Sequence, residues 1–204
     1  MMLLALRLLP TLLFVAGASQ FAIGAWMPAK AALAQILLER AWQNTGERGE
    51  RVRPWPWADT WPVARITVPR LGESWIVLSG ASGRTLAFGP GHTDGSALPG
   101  EAGAAIVSGH RDSHFAALRA LRVSDEIVVT RPDGARVHYR VDELRVADSR
   151  SARLRDPGIG RSLLLVTCWP FDALTAGGPL RFVASASAVD VRRVRHTTQI
   201  DSNS

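Results

Sequence analysis

One thiol and five imidazoles are the side chains of this chain best suited to covalent chemistry near neutral pH. Cys168 is the only cysteine of 204 residues, so it has no internal disulfide partner. It is either a small buried hydrophobe or a reactive thiol. It ends the apolar run Leu163-Leu164-Leu165-Val166-Thr167-Cys168 and precedes Trp169-Pro170. Proline stops a strand ladder, and the loops after strand ends are where sites are usually built, which favours the reactive reading. A histidine is the commonest activator of a thiol. His110 follows Ala104-Ala105-Ile106-Val107-Ser108-Gly109 and so ends an apolar strand just as Cys168 does. His92, in a loop after Gly89-Pro90-Gly91, and His114, opening a short helix, are the reserves. His138 lies mid-strand, where a cross-strand role fits best, and His196 lies in the tail. Attack on a carbonyl also needs donors for the oxyanion. Arg181 opens the strand after the loop 169–180. Antiparallel pairing of the two strands would bring guanidinium and thiol together, since neighbouring strands lie about 4.8 Å apart.

These residues need strands to hold them. From Trp61 onward, short β-rich runs alternate with Gly/Pro turns, at 63–68, 75–79, 84–88, 104–109, 126–130, 135–147, 162–168 and 181–189. Pro132-Asp133-Gly134 between two of them is a hairpin signal. One short helix is expected over 114–121, with Phe115, Leu118 and Leu121 on one face and Asp112 or Ser113 as cap. About eight strands with one or two small helices describe a mainly β chain closed, or nearly closed, into a barrel. A globular part of about 150 residues buries enough surface to fold without disulfides or metals.

Residues 8–26 are uncharged and mostly apolar, close to the roughly 20 residues that cross a bilayer as a helix. Ala16-Gly17-Ala18 resembles a signal-peptide cleavage site, but the apolar run continues for eight residues past Ala18. An uncleaved anchor over 1–27 is expected, amino terminus inside, with Trp26 at an interface. Residues 28–60 read as a juxtamembrane helix from Ala29 to Trp42, a polar break at Asn44-Thr45-Gly46 and a Pro/Trp-rich linker. Residues 61–189 read as the folded domain, and 190–204 as a polar disordered tail. The net charge of +6 is carried by arginine, with Lys30 the only lysine. The arginines are scattered apart from clusters at 145–161 and 192–195, and no nucleic-acid motif accompanies them. A basic surface near anionic lipid accounts for the charge better than nucleic acid does.

Four segments together resemble the sortase family. Leu165-Val166-Thr167-Cys168 matches its cysteine strand end, Ser108-Gly109-His110-Arg111 its histidine motif and Gly178-Pro179-Leu180-Arg181-Phe182 its arginine strand. Gly89-Pro90-Gly91-His92 through Ala97-Leu98-Pro99-Gly100-Glu101 is similar to the stretch before the sortase histidine, and Pro170-Phe171 after the cysteine is common in the family. The resemblance covers about 61–189. It implies an eight-stranded barrel behind an N-terminal membrane anchor, on the outer side of the cytoplasmic membrane. It further implies a nucleophile at Cys168 that forms an acyl-thioester, a general acid and base at His110, and a carbonyl- and oxyanion-binding group at Arg181. The implied partners are a secreted protein with a C-terminal sorting motif similar to Leu-Pro-X-Thr-Gly and an amine acceptor, with no cofactor. The compact Ala/Arg/Trp-rich chain looks most like the sortases of Gram-negative bacteria. The arginines from the end of the 135–147 strand up to Cys168 (Arg145, Arg150, Arg153, Arg155, Arg161) depart from the family where it shapes the substrate groove. No acidic cluster supplies the six or more oxygens calcium takes.

Three rivals stand beside this reading. His110-x-Asp112-x-His114 has the alternation of a metal-ligand triplet on one strand face, as in a metal-dependent hydrolase, with His92 and Asp94 as distant additions. It requires the strand to continue through 114. A membrane-anchored binding module would make Cys168 core. A cell-wall cross-linking cysteine transpeptidase resembles a Ser-x-Gly-Cys context, which Leu165-Val166-Thr167 does not supply.

Overall fold

The computed structural model describes residues 2–48, 51–151, 160–173, 175 and 177–189. The tail from Asp190, with His196, and the arginines at 153 and 155 lie outside the described residues. The chain divides into two units, 1–37 and 38–204. The first unit is the leading part of helix α1 (Met2–Arg48). Phe14, Phe21, Trp26, Leu33 and Ile36 are exposed along it. Lys30 Nζ lies 5.4 Å from the Trp26 ring centre, within cation–π reach. Among the described residues, no helix is long and apolar enough to cross a membrane, so the anchor expected over 1–27 is carried by the sequence alone.

The second unit is a closed barrel of eight strands: β1 (Pro62–Val68), β2 (Glu73–Ser79), β3 (Gly91–His92), β4 (Gly103–Ser108), β5 (Glu126–Thr130), β6 (Arg136–Asp148), β7 (Arg161–Cys168) and β8 (Leu180–Ala188). Around the barrel they run β1-β2-β3-β4-β7-β8-β6-β5 and back to β1. The β2–β3 and β4–β7 pairs are parallel and the others antiparallel. Pleating sends alternate residues inward. Ile66, Val77, Val107, Ile127, Val129, Tyr139, Leu163 and Leu165 fill the interior with no exposed surface. Each buried aliphatic side chain there contributes about 1.5–3 kcal/mol. β7 is buried on both faces from Ser162 to Leu165, as suits a strand with a parallel neighbour and covering loops.

The end of α1 belongs to this unit. Leu38, Ala41 and Thr45 are buried, and Glu39 accepts two bonds of 2.7 Å from Arg65 on β1. The helix therefore runs through Asn44-Thr45-Gly46, where a break was expected. Thr45 donates to the Ala41 carbonyl at 2.7 Å, satisfying its hydroxyl within the helix. The Pro/Trp segment has no regular structure between 51 and 61. It lies against the domain through Trp55, edge-on to Phe88 at 4.9 Å, and through Thr60, which donates to the Ser79 carbonyl.

Two expected elements are corrected. Residues 84–88 are not a strand: Gly83–Leu86 form a short helical turn, α2, because the Ser82 hydroxyl accepts the Thr85 N–H at 3.2 Å. The eighth strand is β3, only two residues long and too short for any alternation to reveal. It pairs with β2 through Leu78↔Gly91 and with β4 through Gly91↔Ser108. Gly91 is required there, since a Cβ would collide with the Gly80 carbonyl. The expected helix over 114–121 is a 3-10 turn at Ala116–Ala120. Phe115, Leu118 and Leu121 are buried as anticipated, but neither Asp112 nor Ser113 caps it. The His110 carbonyl accepts the Phe115 N–H at 3.0 Å, and Asp112 pairs with Arg111 instead.

Candidate active site

Strand register brings the three candidates to one edge of the barrel. Cys168, the last residue of β7, lies directly opposite Arg181 on β8. The Trp169 N–H donates to the Leu180 carbonyl at 3.1 Å. That makes 169 and 180 hydrogen-bonded partners and leaves Cys168 and Arg181 a non-hydrogen-bonded pair, with Cα atoms about 4.5 Å apart and side chains close. On the other side of β7, β4 runs parallel with Ser108 opposite Val166. The pairing continues past the end of β4. The Gly109 N–H donates to the Val166 carbonyl at 3.1 Å, and the buried Thr167 hydroxyl donates to the Gly109 carbonyl at 2.7 Å. Two residues beyond Ser108 and Val166 stand His110 and Cys168.

The pleat then orients them. Leu163 and Leu165 on β7 and Phe182, Ala184 and Ala186 on β8 belong to the core, so Cys168 and Arg181 face outward. Cys168 is partly accessible and His110 is exposed. Gly109 sets the approach of His110: a Cβ there would meet the Phe115 ring at 2.7 Å, and Phe115 has no exposed surface. Only glycine lets the aromatic pack under the strand end that carries the imidazole. The Arg181 guanidinium donates from Nη1 to the carbonyls of Gly178 at 2.7 Å and Leu180 at 2.9 Å. Those two carbonyls anchor the guanidinium at the start of β8, on the residue that stands across the ladder from Cys168.

The other histidines part company. His92 is buried, and its Nε2 lies 3.0 Å from both the Ala97 carbonyl and the Ser96 hydroxyl. It lies in β3, not in a loop, and ties the 93–97 turn to the barrel. His138 takes the expected cross-strand place, with Nδ1 at 2.6 Å from Glu126 on β5. His114 is half-buried; burial, and then the charge of nearby His110, hold its imidazole below the usual histidine range. It therefore favours its neutral form beside His110. β4 ends at Ser108, so residues 110–114 do not form the continuous strand that a His110/Asp112/His114 metal triplet requires. Among the described residues, no three His, Cys, Asp or Glu side chains gather as metal ligands.

Arg111 is the feature to which the sequence reading assigned no role. It is 4% exposed, unusual for an arginine. Its Nη1 donates to the Pro170 carbonyl at 2.7 Å, and its Nη2 to those of Ala173 at 3.0 Å and Thr175 at 2.9 Å. Its Nε meets the exposed Asp112 at 3.1 Å. Its only sequence signal was its place after His110, since nothing in a run of residues shows that a distant loop will offer carbonyls to it. Beyond Arg181, at the end of β6, Arg150 holds the Asp148 carboxyl down to about 2, with a smaller push from Arg181. Asp148 thus stays anionic beside the site at any physiological pH.

A family model for the sortase domain matches residues 66–189. The chain belongs to the sortase family. Sortases are cysteine transpeptidases, and the single cysteine of this chain, Cys168, ends β7. Among solved structures, a sortase D5 transpeptidase of Clostridium perfringens is 20% identical with a TM-score of 0.63, over 78% of this chain and 99% of that one. Sortase A of Corynebacterium diphtheriae is 24% identical with a TM-score of 0.59, over 78% and 86%. Sortase C-1 of Actinomyces oris is 26% identical with a TM-score of 0.52, over 64% and 74%. No curated protein sequence matches the chain. At these identities the likeness to the first two is one of fold, and it agrees with the closed barrel described above. The closed barrel is the one expected from the strand pattern, with β3 in place of the run at 84–88.

Proposed function

We propose that this sortase cleaves a C-terminal sorting motif similar to Leu-Pro-X-Thr-Gly on a secreted partner protein and transfers the new carboxyl end to an amine. The observation that carries the reading is the facing of Cys168 and Arg181 across β7 and β8, with His110 at the neighbouring strand end. The Cys168 sulfur, as thiolate, attacks the scissile carbonyl and forms the C–S bond. The carbonyl oxygen becomes an oxyanion, which the Arg181 guanidinium stabilises as a pre-placed cation. The His110 imidazolium gives its proton to the departing amine as the C–N bond breaks. An incoming amine then loses a proton to His110, attacks the thioester and releases the thiolate. Among the described residues, the bonds of Arg181 run from Nη1 to the carbonyls of Gly178 and Leu180, which supports its Nη2 and Nε as the groups that meet the substrate oxygen.

The uncharged stretch 8–26 and the exposed Phe14, Phe21 and Trp26 support attachment by the amino-terminal helix, with the barrel outside the cytoplasmic membrane. The Ala/Arg/Trp-rich composition supports a place among the Gram-negative sortases. The test is intact-mass spectrometry of the full chain incubated with sorting peptides. An acyl adduct on the wild type, absent from Cys168→Ala, is expected. An adduct of equal yield on Cys168→Ala would remove Cys168 as nucleophile.

A further inference from the structure

The buried charge of Arg111 performs no step of the chemistry proposed above, yet it sits next to His110 and spends its hydrogen bonds on the loop after Cys168. Three of its four bonds end on the carbonyls of Pro170, Ala173 and Thr175. A lone buried guanidinium is costly, and carbonyl oxygens together with one exposed carboxylate offset that only if the geometry is held. The same loop leads to Arg181: its Gly178 carbonyl, with the Leu180 carbonyl at the start of β8, accepts from the Arg181 Nη1. Gly177 and Gly178 both have positive φ (102° and 85°), so the loop's own backbone offers little stiffness there. Arg111 thus holds the loop at 170, 173 and 175, and three residues past Thr175 the same loop supplies the Gly178 carbonyl to Arg181, the residue facing Cys168.

We infer that Arg111 is a positioning residue, a clamp that fixes the β7–β8 loop so that Arg181 is aimed at the carbonyl attacked by Cys168. The inference rests on the transpeptidase reading. A planar fork makes these divergent bonds, and a lysine ammonium of similar length cannot reproduce them. Loss of the clamp lets Arg181 drift by a fraction of the distance over which an oxyanion donor acts, and misplacement of about 1 Å can cost roughly 100-fold in rate. Thiol chemistry that needs no oxyanion is spared.

The experiment uses the full chain, with Arg111→Gln and Arg111→Lys made alone and in an Arg181→Ala background. The readouts are peptide turnover, iodoacetamide alkylation of Cys168, and hydrogen exchange of the loop. Both single variants are expected to lose about 100-fold in kcat with little change in KM. They are expected to alkylate Cys168 at the wild-type rate, and to exchange faster in the loop than in β4 or β7. In the Arg181→Ala background the Arg111 change is expected to cost little more, because its effect passes through Arg181. An equal loss in both backgrounds, or unchanged loop exchange, overturns the clamp. If Arg111→Gln does not fold, Arg111→Lys, which keeps the charge, decides the matter. A wild type that turns over no sorting peptide overturns the transpeptidase reading, and the exchange measurement then judges the clamp on its own.

Discussion

The β5–β6 hairpin and the β4–β7–β8 sheet are built by different means. In the hairpin the partners are near in sequence. Arg131 N–H donates to the Ala135 carbonyl across the Pro132-Asp133-Gly134 turn, and Glu126 meets His138. The nearby Arg70–Asp125 pair closes the same side of the barrel, where Asp125 also caps the Arg122 N–H at 2.7 Å. In the site sheet, Gly109 and Thr167 meet across 58 positions, and Arg111 reaches loop carbonyls up to 64 positions away. Charge in the hairpin half is matched side chain to side chain, across the hairpin for Glu126–His138 and across 55 positions for Arg70–Asp125, and serves stability. Charge in the site half is left facing outward or spent on a loop, where it serves placement. Changes in the two halves should therefore fail in different ways.

The largest effects should fall on turnover in the site sheet with the fold kept. His110→Ala is expected to lose about 10²–10⁴ in kcat, and Arg181→Ala about 10²–10³. Both should leave the thermal unfolding midpoint close to wild type, since both side chains face outward. Near-normal turnover in either variant would take that residue out of the mechanism. Leu165→Ala, on the inner face of β7, reverses the pattern by hollowing a fully buried site. It should cost about 2–5 kcal/mol in denaturant unfolding, and a smaller loss would mean the barrel collapses around the gap.

Asp125→Asn tests the hairpin side at lower cost. The hydrogen bond with Arg70, ahead of the N–H of Arg122 and their charges, holds the Asp125 carboxyl below its usual range. Its folded value is depressed, so its stabilisation is present above about pH 3.9 and is lost as pH falls through the folded value. The amide should cost about 1–3 kcal/mol at pH 7 and leave kcat intact. A fall in kcat would show that the two halves are coupled. His114 gives the smallest effect. Its folded value lies below the usual 6.5 or so, so the unfolded chain takes up the proton first as pH falls. Stability is full above about pH 6.5 and declines below it. His114→Gln should flatten that decline below about pH 6.5 in denaturant titrations, and an unchanged slope would assign the pH dependence to other groups.

Strand ends were legible because apolar runs stop abruptly at His110 and Cys168, and because Pro170 and the Gly177-Gly178-Pro179 turn interrupt the ladder. The 84–88 run misled because Leu86 and Phe88 alternate like a strand, while a single Ser82 cap, formed in three dimensions, tips the segment into a turn. β3 escaped notice because two residues carry no period. It forms only because β2 and β4 offer it backbone partners on both sides.

By itself, the sequence determined the chemistry on offer: one thiol, an imidazole and a guanidinium at strand ends, on strands whose alternation encloses a barrel. Those are local properties, written in residue type and spacing. Only the tertiary structure decided that Cys168 faces Arg181 in a non-hydrogen-bonded pair, that β4 lies parallel beside β7, and that Arg111 is buried on carbonyls from residues 170–175. Register, strand order and the partners of a buried charge are set by contacts between distant segments. They depend on which surfaces can be covered together, and no single stretch of the chain contains that information.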